Sequence, residues 1–275
     1  LRFVDVQGST RNCSILEKSI KNLHLDILIE NEHRNNYELK CLIKMKKKYH
    51  IKLVQIMHEF PLFHLYYTNL ELFNKNWHNL KQFDAVFAFT PTQIYYYHQQ
   101  GLNQSIYMPG HLYYEPRDIT PAKLQNKKLI MIGRSSPEKR YKLAIESLSY
   151  IVKEIPDCEL TIVSRKDSNL INLAKKLNVS NNVVFTGFQY DVHKYLIDSS
   201  IYLLLSNYES YSYVLAEAKA FGLANINTQK KYLVLTEKGT INIDNDEPKS
   251  IADECIKLLK NQTYLNEQGK RARKS

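Results

Sequence analysis

Two glutamates eight positions apart, Glu209 and Glu217, lie in the stretch YESYSYVLAEA (208–218) among tyrosines and serines. Upstream, GRSSPEK (133–139) sets Arg134 and Lys139 five positions apart behind a glycine. A planar guanidinium fork and a lysine point charge are a pair suited to bracketing a diphosphate. The glycine permits a tight turn, and a helix beginning beyond it offers amide groups and the positive end of its dipole to an anion. Glu209 falls in a loop and Glu217 inside the helix that follows, so the two do not stack as an acid/base pair on one helix face. They would reach different parts of one ligand. Glu209 would meet sugar hydroxyls and Glu217 ribose hydroxyls, with amides around Ser210, Tyr211, Ser212, Tyr213 and Val214 on phosphate oxygens between them. Taken alone, the glutamates are better explained as a surface carboxylate and a helix-stabilising one, and the basic pair also fits an ordinary surface loop.

These residues follow apolar runs that look like buried parallel strands: LDILI (25–29), KLVQIM (52–57), DAVFAF (84–89), SIYM (105–108), KLIMIG (128–133), ELTIVS (159–164), NVVFTG (182–187) and IYLLLS (201–206). Stretches of helical period separate them, as a doubly wound α/β sheet requires. The pattern occurs twice. A polar stretch with Pro116 and Pro121 and no periodicity divides it, placing one domain at 1–111, a linker at 112–126 and a second domain at 127–275 with a helical tail from Ser250. Ligands of such sheets bind beyond the carboxyl ends of the strands.

The 275 residues, 44% of them apolar, can fill two cores. No segment reads as a signal peptide or reaches the roughly 18 apolar residues of a membrane span, so a soluble, cytoplasmic protein is expected. Cys13, Cys41, Cys158 and Cys255 lie far apart with no C-x-x-C pair, so neither a metal knuckle nor a disulfide framework is expected, and each reads as a small buried apolar residue. No metal-ligand cluster is evident. The net charge of +10 and the run Lys44–Lys48 raise a nucleic-acid reading. However, Leu39, Leu42, Ile43 and Met45 form a helical stripe within that run, which makes the lysines a solvated helix face. No nucleic-acid partner is expected. A positive face also suits phosphorylated substrates or an anionic membrane surface.

The motifs GRSSPEK, TIVSRKDSNLINLAKKLNVSNNVVFTGF and YLLLSNYESYSYVLAEAKAFGL, with the E-x7-E spacing, stand in fixed order over residues 128–226. In that order they resemble the donor domain of retaining GT-B glycosyltransferases of family four, the type that builds bacterial capsular and exopolysaccharides. VQIMHEF and the segment 83–110 are similar to the acceptor-side half. The resemblance implies an α/β fold of two Rossmann-like doubly wound domains facing a cleft, the amino-terminal one shortened or the chain a fragment. It implies transfer of a sugar from a nucleotide sugar, UDP- or GDP-linked, to a saccharide or lipid-linked saccharide with retention. The diphosphate itself then serves as base, with no metal and no further cofactor.

By the same resemblance, Arg134 and Lys139 neutralise the diphosphate, His58 stands near the reacting sugar, and Phe188 flanks the base. Read alone, His58 is a structural histidine. The family commonly has glycines where this chain has Ser210 and Ser212. The alternative is a subunit that keeps the fold, lacks the chemistry and supports a partner glycosyltransferase. An epimerase of the same fold is a third reading.

Overall fold

The computed structural model describes residues 13–31, 36–58, 70–108, 118–207, 209, 211–228 and 238–275. The chain divides into two compact units, Leu1–Gly110 and His111–Ser275. In the first, helices α1 (Cys13–Leu23), α2 (Asn36–Tyr49), α3 (Leu70–Leu80) and α4 (Pro91–Gln99) alternate with strands β1 (Ile27–Glu30), β2 (Lys52–Met57), β3 (Ala85–Ala88) and β4 (Ser105–Tyr107). The strands pair in parallel in the order β1-β2-β3-β4, because each intervening helix returns the chain to the same sheet end. Thr90 starts α4 with a capping box: its hydroxyl takes the Gln93 amide at 3.1 Å and the Gln93 side chain takes the Thr90 amide at 2.9 Å.

The α2 stripe faces inward as expected, with Leu39, Leu42, Ile43 and Met45 buried. Its lysines divide into two sets. Lys46 turns back to Asp84 at 2.8 Å and to the Gln82 carbonyl at 2.7 Å, and Lys48 meets Glu17 at 2.5 Å. Burial pushes the Asp84 carboxyl up, but Lys46, the Leu53 amide and Lys52 outweigh it and hold the group at about 2. Lys40, Lys44 and Lys47, at spacings of four and three, face solvent on one side of the helix. One expectation is corrected here. Cys13 and Cys41, 28 positions apart, form a disulfide joining α1 to α2 with Cα atoms 5.8 Å apart. Sequence distance hid a spatial neighbourhood made by helix packing. Cys158 and Cys255 are buried thiols, as read.

In the second unit, strands β5 (Lys128–Ile132), β6 (Glu159–Val163), β7 (Val183–Phe185), β8 (Ile201–Leu204), β9 (Ala224–Asn227) and β10 (Ile241–Asn242) form one parallel sheet. The order is β10-β9-β8-β5-β6-β7. Helices α5 (Tyr141–Glu154), α6 (Ser168–Lys176), α7 (His193–Ile197), α8 (Tyr213–Ala220), α9 (Pro248–Lys260) and α10 (Gln262–Lys274) connect and cover it. β8 is buried along its whole length, and Ala144, Ile145, Leu148 and Ile151 of α5 pack with Ile251, Cys255 and Leu258 of α9 in one core.

Of the span read as linker, 112–117 lies outside the described residues, while 118–126 packs on the second unit. The Ala122 amide donates to the Phe221 carbonyl at 2.9 Å and Leu124 is buried. Tail helix α10 sits close enough that a Cβ on Gly269 would meet the Gly222 carbonyl at 2.3 Å. From the same helix, Arg273 donates to the Ala220 carbonyl at the end of α8 and to the Ile119 carbonyl at 2.8 Å.

Candidate active site

The strand order of the second unit reverses between β5 and β8, and the loops that follow these two strands run in opposite directions across the sheet. A crevice opens at such a switch point, at the carboxyl ends. The loop after β5 carries Gly133, Arg134 and Lys139, and the loop after β8 carries Ser206 and Glu209. Gly133 donates its amide to the Val163 carbonyl at 3.1 Å. A Cβ there would press on the Lys139 side chain and the Tyr141 hydroxyl at 3.2 Å. The chain does not enter a helix directly, as read. It makes a 3-10 turn over Pro137–Lys139, passes Arg140 at φ 57°, and only then begins α5. Arg140 reaches Asp246 at 2.7 Å, tying this start to the loop before α9.

Two contacts join the two loops, and a third holds Glu209 within its own loop. The Asn207 amide donates to the Glu138 carbonyl at 2.8 Å, Lys139 Nζ pairs with Glu209 Oε1, and Ser206 Oγ donates to the same oxygen at 2.7 Å. The Lys139 and Glu209 side chains are only 18% and 13% exposed, so the charges act on each other through little water. The alternative of an ordinary surface loop does not hold for Lys139. Arg134, 76% exposed, stands 3.8 Å from the buried Glu138 carboxylate, which also accepts from Ser136.

Beneath the loops lie two phenols. Burial above all, with the negative charges of Glu209 and Glu138 adding to it, pushes Tyr141 up to about 12. Its hydroxyl is buried beside that of Ser164, which pulls the other way, and among the described residues neither has a hydrogen-bond partner of good geometry. Tyr202 is held well above its ordinary value by burial, and both Glu209 and Glu217 add to that. One buried phenol thus lies within electrostatic reach of both glutamates.

Ser212 precedes α8 at φ 57° and is buried. A glycine would take this conformation without a steric penalty. Tyr213 and Val214 form the first turn of α8, the end of a helix that leaves amides without intrahelical partners. Tyr211 packs edge-on to Tyr213 with centroids 5.0 Å apart. Ser210 lies outside the described residues. Phe188, 62% exposed in the loop after β7, meets Tyr190, itself 97% exposed, edge-to-face at 4.9 Å. His58 belongs to the first unit, just beyond β2, where its Nε2 lies 2.7 Å from Asn31 Oδ1 and its ring 5.1 Å from that of Phe89. Sequence reading missed Ser206, Glu138, Tyr141, Tyr202 and Tyr190. Only Ser206, three residues before Glu209, carried a signal, because a hydroxyl at that spacing can bond across a turn. Among the described residues no group of three or more His, Cys, Asp or Glu is placed to hold a metal ion.

A family model described as "Glycosyl transferases group 1" matches residues 115–275. An uncharacterized glycosyltransferase of Haemophilus influenzae is 38% identical over 104 residues, 37% of this chain and 30% of that protein. N-acetyl-alpha-D-glucosaminyl L-malate synthase of Bacillus anthracis is 31% identical over 174 residues, 59% of this chain and 45% of that protein. The matched part therefore spans less than half the length of either relative. Among solved structures, Anabaena HepE in complex with UDP and glucose superposes with a TM-score of 0.80 at 14% identity, over 95% of this chain and 76% of the other. At that identity the likeness shows the fold alone, the GT-B architecture that the motifs implied.

Proposed function

Because this chain belongs to the glycosyl transferases group 1 family, we propose that it moves a sugar from a nucleotide-sugar donor to a saccharide or lipid-linked saccharide acceptor, with retention at the anomeric carbon. The observation that carries this reading is the part-buried Lys139–Glu209 pair at the switch point. A cation for phosphate and an acceptor group for sugar hydroxyls stand in contact, as they must where a diphosphate joins a sugar. Arg134 and the first turn of α8 supply further positive potential to the diphosphate. Glu217 takes the ribose and Phe188 flanks the base. UDP is the first nucleotide to test, since HepE was solved with UDP and glucose.

In the reaction the bond between the anomeric carbon and the phosphate oxygen breaks, and the electron pair leaves with the diphosphate. The acceptor oxygen bonds to that carbon from the same side and its proton passes to the diphosphate. Lys139, Arg134 and the helix end stabilise the charge that develops on the leaving group. No residue need act as nucleophile, and the proposed reaction uses no metal ion. We place the activity in surface-polysaccharide or glycoconjugate synthesis at the cytoplasmic side, the Lys40, Lys44 and Lys47 face contacting anionic lipid. Among the described residues no helix is long and apolar enough to cross a membrane.

A panel of UDP- and GDP-sugars is screened for a rise in melting temperature, followed by transfer of a radiolabelled sugar from the ligand that stabilises most. Stabilisation by one sugar nucleotide and slow transfer or hydrolysis are expected. No response to any of them sinks the reading. A second reading, a fold-keeping subunit without chemistry, has Ser212 in its favour, a serine held at φ 57°. It predicts donor binding with no transfer unless a partner chain is added.

A further inference from the structure

The Glu209 carboxylate is held through one oxygen. Oε1 takes both the Ser206 hydroxyl and the Lys139 ammonium, while no partner among the described residues meets Oε2. A lysine is a point charge on a flexible stem and follows whichever carboxylate oxygen is nearer. It cannot choose between them. A hydroxyl fixed to a strand end can, and Ser206 is such a group: 2% exposed and two residues beyond β8.

When a diphosphate draws Lys139 toward itself, Ser206 becomes the remaining holder of Oε1. We propose that Ser206 is a positioning residue that pins Glu209 Oε1, so that Oε2 is the oxygen offered to a hydroxyl of the donor sugar. The inference rests on the donor-site reading above and deepens it by naming what orients the sugar-facing carboxylate. It also separates the two halves of the donor. The diphosphate depends on Lys139 and Arg134, the sugar on the Ser206–Glu209 bond.

The test compares the full chain with its Ser206→Ala and Ser206→Thr variants, using UDP and UDP-glucose as probes, and GDP and GDP-mannose where the wild type prefers guanine. Titration calorimetry, melting temperature and steady-state transfer are measured. Ser206→Ala is expected to bind UDP within about twofold of wild type and to lose the extra affinity that the sugar adds. Its kcat/KM should fall roughly ten- to hundredfold, the range of a hydrogen bond to a charged group. Ser206→Thr, which keeps the hydroxyl, restores both. In a Glu209→Gln background the alanine change should have almost no further effect, as expected of a residue acting through Glu209.

Unchanged sugar-nucleotide affinity in Ser206→Ala overturns the proposal. So does an equal loss of UDP and UDP-glucose affinity together with a lower melting temperature, which is the signature of a packing role. A wild-type chain that binds neither UDP nor GDP brings down the donor-site reading itself, and the proposal with it. Wild-type binding with an unaffected alanine variant brings down the proposal alone.

Discussion

Arg134 and Lys139 carry the same charge in opposite surroundings, and the difference decides how their loss reads out. Arg134 is largely in water and its one described ion pair, with Glu138, is 3.8 Å long. Such a contact contributes little to stability. Arg134→Ala should therefore lower kcat/KM about a hundredfold, the scale of one lost charge-stabilising donor, while leaving the melting temperature within a degree or so. Lys139→Ala should lower both, because it strands the mostly buried Glu209 carboxylate. Adding Glu209→Gln to Lys139→Ala should recover part of the melting temperature and none of the activity. A Lys139→Ala protein as stable as wild type would mean that the pair is not formed in solution. The spacing of these residues in GRSSPEK was legible in the sequence because a strand, a glycine and a helix signal framed it. Their burial was not, because the loop after β8 that covers Lys139 comes 70 residues later.

At the scale of elements, strands were legible wherever a run was apolar from end to end, and eight were found within a residue or two. β9 and β10 were not. ANIN places Asn225 and Asn227 in a fully buried strand, which composition argues against. Asn227 is accommodated because its amide donates to Asn242 of β10 at 2.7 Å, a partner no local pattern announces.

Helix α2 was legible as a helix, but not in the division of its lysines, which follows from Asp84 and Glu17 on neighbouring elements. That division sets a prediction. Replacing Lys40, Lys44 and Lys47 together by glutamine should reduce co-sedimentation with vesicles containing anionic lipid, each lysine near the surface contributing about 1 kcal/mol at low salt. Lys46→Gln should leave vesicle binding unchanged and lower stability instead, since it removes a partner from Asp84. If wild-type protein stays in the supernatant at low salt, the membrane face is wrong and a soluble acceptor is preferred.

For the whole molecule, the two units have separate hydrophobic cores that share no residue. One is built on Leu42, Leu53 and Val86, the other on Leu129, Leu148 and Leu203. Each should unfold as its own cooperative transition. Two reagents can tell the transitions apart. UDP, bound at the β5/β8 switch point, should raise only the transition of the second unit, by about 2.7 kcal/mol at a hundredfold excess over Kd. For a unit of this size that is roughly 5 to 10 °C.

A phosphine reductant should lower only the other transition, because Cys13–Cys41 lies wholly in the first unit. Opening a cross-link of that span costs about 3 kcal/mol. The second unit gives the reductant no target: Cys158 and Cys255 are already buried free thiols, and burial pushes Cys158 up to about 12. Scanning calorimetry of the full chain, with each reagent alone and with both, makes the comparison. Additive, separate shifts are expected. A single transition that both reagents move would show that the two cores unfold as one, and the assignment of donor binding to the second unit alone would then need a residue-level probe such as amide exchange around Lys139 and Glu209.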